Sequence, residues 1–222
     1  MTLFEKNEND LYSAFRSLLE NMSRFSSDAR FEKMAREANG VYEAKAGSIY
    51  TDDQQYETHM TSFLEWFLFT QPANEKGQTV IDVYREEMAR GSDIELAMID
   101  AIKEHIQDVF LVKSSKNGKI KATALLANKN YVISDQERAG LLRKGDIFEG
   151  RIVQFEKNWL LTNGFCHHPS GSLKFIKSEM KRIRKNGGEG IEEFLFALNA
   201  MSVRYERSRQ IDVKEIYKSR KS

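Results

Sequence analysis

Three groups of residues in the chain have types and spacings that bear on chemistry. Cys166-His167-His168 sets a thiol beside two imidazoles, the donor types of a transition-metal site or an activated nucleophile. Adjacent residues of a strand point to opposite faces, so such a trio can rarely hold one ion together. His59 and His105 are distant in sequence and no His-x-x-x-His pair exists. The trio therefore reads as a buried thiol with two surface or turn histidines. Asp52-Asp53 and Glu86-Glu87 offer the paired carboxylates of acid–base chemistry, but a helix cap explains the first pair and a solvated helical face the second. Gly187-Gly188-Glu189-Gly190 could cradle an anion ahead of a helix. It lacks the P-loop lysine and hydroxyl, and Glu189, Glu192 and Glu193 would repel a phosphate, so it reads as a hinge. No motif identifies a reaction. The expectation is a non-enzymatic protein with no catalytic residue, cofactor or metal.

Charge is the stronger signal. Lys174, Lys177, Lys181 and Arg184 recur every three or four residues, which on a helix over 173–185 projects them to one side, with Arg182 and Lys185 beside them. These six cations are the expected binding site for an anionic partner. Phosphates, an anionic membrane surface, an acidic protein and the acidic first part of this same chain all fit. That last option arises because residues 1–110 hold 11 Lys and Arg against 21 Asp and Glu, while residues 111–222 hold 23 against 12, beneath a net charge of only +1. The expected function is a protein-interaction or regulatory module meeting a protein with an acidic surface. The alternative is nucleic-acid binding through the basic C-terminal half, although no RNP-like, KH or zinc-knuckle sequence is present.

The elements that must carry these residues follow from periodicity. Leu11, Phe15, Leu18, Leu19, Met22 and Phe25 make one helical stripe, with Asn9 or Asp10 as a cap. A second helix fits Asp28 to Asn39, ended by Gly40, and a third runs from about Asp52 to Phe69. Thr79 with Asp82, and Ser92 with Glu95, are capping signatures for two more. From residue 106 the period becomes two, in runs around Val109–Val112, Ile120–Ala127, Tyr131–Ile133, Ile147–Phe155 and Trp159–Phe165. Lys116-Asn117-Gly118-Lys119 and Glu156-Lys157-Asn158 read as hairpin turns, and Gln136 to Lys144 as a helical turn. Five short strands in so few residues predict a small, closed, antiparallel barrel of SH3 or OB type. Helices return after Pro169, with a last one from Ile191 to about Arg207 and a tail that frays unless Ile211, Val213 and Ile216 dock. The fold class is thus α+β, with a helical lobe over 1–105, a barrel over 106–168, and C-terminal helices with a basic tail over 169–222.

Two resemblances accompany this layout. FLEWFLF at Phe63–Phe69, GQTVIDVY at Gly77–Tyr84, then RKGDIFEGRIVQ and WLLTNGF, resemble uncharacterised bacterial proteins often associated with a SEC-C zinc motif. The resemblance implies a helical lobe followed by a small barrel, but the single cysteine cannot supply SEC-C ligands. Within it, Gly145 to Val153 looks like the entry strand of OB-type barrels such as the S1 RNA-binding domain, and is read here as structural. One cysteine in 222 residues also excludes an internal disulfide framework. The charged start and the shortness of the apolar run Phe63–Phe69, which contains Glu65, predict a cytoplasmic protein without a transmembrane segment.

Overall fold

A computed structural model describes residues 8–88 and 91–218. Helix α1 (Glu8–Ser26) contains Asn9 and Asp10 rather than following them. Asp28 does cap, but what it caps is a 3₁₀ turn at Ala29–Phe31, accepting from the Arg30 amide. Helix α2 (Glu32–Ala46) runs straight through Gly40 and stops at Gly47, whose φ is 87°. A mid-helix glycine costs about 1 kcal/mol against alanine, and burying Tyr42 and Ala46 on the continued face outweighs it. Helix α3 (Tyr56–Thr70) buries residues all round its last turns, as expected of a helix at the centre of a core. Both capping boxes form: Thr79 with Asp82 opens α4 (Val80–Glu87), and Ser92 with Glu95 opens α5 (Asp93–Lys103).

Strands β1 (Ile106–Lys116), β2 (Lys119–Ala124), β3 (Lys129–Ser134), β4 (Ile147–Phe155) and β5 (Asn158–His168) close into a barrel in the order β1-β2-β3-β5-β4. The β1–β2 turn is the expected tight hairpin, with Asn117 at φ 51° and Gly118 at φ 70°, and Arg138–Gly140 forms a 3₁₀ turn between β3 and β4. The sheet is mixed, not antiparallel throughout. Every antiparallel pairing reverses chain direction, so a closed ring of five strands must contain at least one parallel pair. That pair is β3–β5, joined only at Ile133–Trp159 and Ser134–Leu160. Phe110, Ile120, Ile133, Phe148, Ile152 and Leu161 fill the interior.

Helices α6 (Leu173–Lys185) and α7 (Ile191–Arg207), with the short α8 (Val213–Ile216), cover one outer side of the barrel, where Val109, Leu111 and Ile147 share a core with Ile176, Met180, Ile183 and Leu198. Ile216 and Tyr217 are buried there, so the tail docks through α8. The opposite side belongs to the N-terminal helices: Val153, Phe155 and Leu160 lie in one core with Phe15, Trp66, Phe67 and Ile102. Among the described residues no helix is long and apolar enough to cross a membrane.

One buried carboxylate pins α3 to the barrel. Glu65 accepts from the Thr162 hydroxyl and the Gly164 amide, each at 2.7 Å, and lies 3.4 Å from Arg151 Nη1. The glycine makes room for this carboxylate, since a Cβ at position 164 would stand 2.5 Å from Glu65 Oε2. Glu65→Ala would take from buried Arg151 its ion-pair partner and from the Thr162 hydroxyl and Gly164 amide their acceptor, at a cost of about 3–5 kcal/mol. Urea unfolding is expected to show that loss for Glu65→Ala and a sizeable loss for Gly164→Ala. The Gly164→Ala penalty should shrink in the Glu65→Ala background, because the clash disappears with the carboxylate; simple additivity would contradict the pin.

Candidate functional site

The residues singled out in the sequence do not assemble into one centre. Cys166 is buried and its thiol is pushed far up by burial, which makes it unreactive. His167 is partly exposed, but His168 is fully buried, contrary to the surface or turn position expected of it. Strand alternation is the reason: His167 lies on the Phe165 side of β5, at the barrel's end, while His168, like Cys166, faces the C-terminal helices. His168 Nδ1 lies 3.2 Å from the Tyr217 hydroxyl, and burial pushes the imidazole down to about 3. The fold also brings His59 to Glu206, Nε2 to Oε1 at 3.4 Å with both side chains buried, a pairing with no signal in the sequence. Among the described residues, no three His, Cys, Asp or Glu side chains are placed to hold a metal ion.

The acidic pairs are engaged structurally. Asp53 accepts from the Tyr50 amide and from Arg207 Nε at 2.8 Å, and the guanidinium holds its carboxyl down at about 2. Glu87 pairs with Arg30, and Glu86 accepts from the Gln78 amide nitrogen. The glycine-rich segment closes α6: the Gly188 amide donates to the Ile183 carbonyl and Gly187 to Arg184. Glu192, in the first turn of α7, accepts from the Trp66 indole, so the loop is a connector between packed helices.

All six cations of α6 are exposed. Arg182 is paired with Glu179 at 2.9 Å. Arg184 donates to the Leu125 and Leu126 carbonyls, which fastens the end of α6 to the β2–β3 turn. The same turn is held from below by Asp108, buried on β1, whose carboxylate accepts from the Leu126 and Ala127 amides at 2.8 and 2.9 Å. Burial pushes that carboxyl up despite these bonds. The β2–β3 hairpin is therefore braced from two directions.

Its outer surface is basic. From Lys113 to Ser134 the sequence has five lysines and no Asp or Glu. Register sets them in rows: Lys116 and Lys119 across one, with buried Ser134 beside them, Ser114, Lys121 and Val132 across the next, and Thr123 with Asn130 beyond. Lys119 donates to Ser134 Oγ at 2.8 Å. Lys113 stands at the bulge where β1 shifts register, and Lys129 reaches over the Tyr131 ring. Lys113, Lys116, Lys121, Lys129 and Asn130 are exposed, and Val132 is 50% exposed. Neighbouring carboxylates are taken, Asp135 by Arg138 and Glu137 by Arg16. The sequence signal for this face was available in Lys119-Ile120-Lys121-Ala122-Thr123-Ala124, whose alternation puts lysine and threonine on the side opposite the apolar residues.

A third feature is a buried polar seam where α2, α3 and α7 meet the barrel. Glu149 accepts from Gln107 at 2.9 Å and from Asn199 at 3.3 Å. Burial pushes its carboxyl up to about 7 against the lowering effect of Arg151. The Tyr42 hydroxyl, Arg151 Nε and Asn199 Oδ1 have no protein partner and line a cavity of about 20 Å³, room for a single water. The seam is a packing element and not a ligand pocket.

A family model described as a family of unknown function, DUF7986, matches residues 5–214. No curated protein and no solved structure matches the chain.

The buried histidine has a thermodynamic consequence. His168 titrates near 6.5 when unfolded but near 3 when folded, so the unfolded chain binds the extra proton between those values and acid weakens the fold. In denaturant titrations from pH 6.5 to 4.5, wild type should lose about 1.4 kcal/mol per pH unit more than His168→Gln does. Parallel profiles for the two proteins would contradict the burial of an uncharged His168.

Proposed function

We propose, for a chain that belongs to DUF7986 and thus to a family of unknown function, that it is a non-enzymatic nucleic-acid-binding protein whose contact surface is the outer face of β2 and β3. The observation that carries the reading is the lysine-bearing, carboxylate-free stretch from Lys113 to Ser134, spread over the barrel face on which the exposed residues of β2 and β3 lie. A five-stranded barrel of the OB type binds oligonucleotides with the face of strands two and three and the loops between strands one and two and strands four and five. Here the first of those loops holds Asn117 between the strand-end residues Lys116 and Lys119, and the second holds Lys157.

Lysine point charges on a braced hairpin suit phosphate oxygens, and Val132 offers a base an apolar surface between them. Tyr131 faces inward and is buried, so the face lacks an exposed ring for base stacking; binding through it is expected to be weak and insensitive to sequence. Lys181 and Lys185 lie within one helical turn of the Arg184 contact with the β2–β3 turn. On this reading they extend the basic track.

Fluorescence anisotropy of labelled single-stranded DNA and RNA at about 50 to 200 mM salt tests this. Each neutralised phosphate contributes about 0.7 to the slope of log affinity against log salt on single strands. Replacing Lys113, Lys116 and Lys121 with glutamine should therefore reduce the slope by about 2, while glutamine at Lys174 and Lys177 leaves it unchanged. The opposite pattern would move the interface to α6, and absence of binding at low salt would overturn the reading.

A further inference from the structure

A second surface stands apart from the barrel face and does not depend on that reading. Helix α7 turns Leu195 and Leu198 toward the barrel core, and its other side carries Ala197, Ala200, Met201 and Arg204, spaced as one helical stripe. With Phe175 and Phe194 these residues floor a groove of about 960 Å³ between α6, α7 and α8. Ala197, Ala200 and Met201 are only half-buried, so apolar surface is left facing water along a trough rather than scattered singly.

The charges along the groove fall into two sets. Arg182 is neutralised by Glu179 and Lys218 by Glu215, at 2.9 and 2.6 Å. Among the described residues, Lys45 and Arg204 have no carboxylate partner; Lys45 sits over the Phe196 ring at 4.9 Å, and Arg204 is exposed. The rim therefore has a net positive charge over an apolar floor, and the two alanines, three residues apart, let a backbone come close.

We propose that this groove docks an acidic amphipathic helix of a partner protein. The apolar face of that helix would lie on Ala197, Ala200, Met201 and Phe194, with carboxylates against Lys45 and Arg204, the helix-in-groove mode of recognition. Charge selects this occupant: a basic helix would meet uncompensated cations, and an oligonucleotide has no continuous apolar face to cover the floor.

The test uses the full chain and two labelled 16-residue designed helices with the same leucine stripe, one with glutamates and one with lysines on its other face. Anisotropy should show the glutamate peptide binding about tenfold tighter than the lysine peptide. The double variant Lys45→Glu, Arg204→Glu should reverse that preference, and Ala200→Trp should remove binding of both while circular dichroism stays native. Equal affinity for the two peptides, no binding of either, or a preference unmoved by the charge reversal would overturn the proposal. So would sedimentation showing a dimer that Ala200→Trp dissociates, since the groove's occupant would then be a second copy of this chain.

Discussion

A carboxylate carried into an apolar interior has to be satisfied on every side, and Glu65 meets that demand only when α3 lies across β4 and β5. Its acceptors are used by Thr162, Gly164 and Arg151, so helix and barrel cannot slide past one another without stranding a charge. The contact also bears on residue choice on the barrel, because a Cβ at position 164 would collide with the Glu65 carboxylate where it stands. Around it the apolar core is continuous, with Phe67 and Trp66 against Val153, Phe155 and Leu160. The hydrophobic contact supplies the area, and the buried carboxylate sets the register.

Once the helices are fixed this way, the barrel's exterior is divided. The N-terminal helices cover β4 and β5, the C-terminal helices cover β1 and β4, and exposed residues remain on β2 and β3. A barrel that small has its interior filled by its own side chains, as Phe110, Phe148 and Phe165 show by stacking across it, so any binding it does is external. The uncovered face is also the one with lysine at alternate positions. Its turn is tied down by hydrogen bonds to Asp108 and Arg184.

The polar groups inside the molecule have a different role. Tyr42, Glu149, Arg151 and Asn199, like His59 with Glu206 and His168 with Tyr217, sit at seams between helices and barrel. Unsatisfied or half-satisfied, such groups penalise every arrangement but the one that brings them together. They make packing specific.

Much of the architecture was legible in the residues. Helical and two-residue periods, two capping boxes and the Asn117-Gly118 turn are local, and local physics settles them. The strands were readable for the same reason, and their closure followed from having too many edges for a flat sheet. Other features depended on distance in the chain. Gly40 looks like a stop, and only the burial of Tyr42 and Ala46 beyond it keeps α2 going. An odd number of strands in a ring forces a parallel pair, but β3 and β5 were chosen by tertiary packing. His168 reads as a turn residue until α7 and α8 fold over it. The lysines of β2 were visible, yet which face of the barrel stays uncovered is decided by where Glu65 and the two helical layers dock. The sequence by itself determined the elements and the sign of the charge on each. Tertiary structure alone decided which charges face water, because that depends on contacts between residues far apart in the chain.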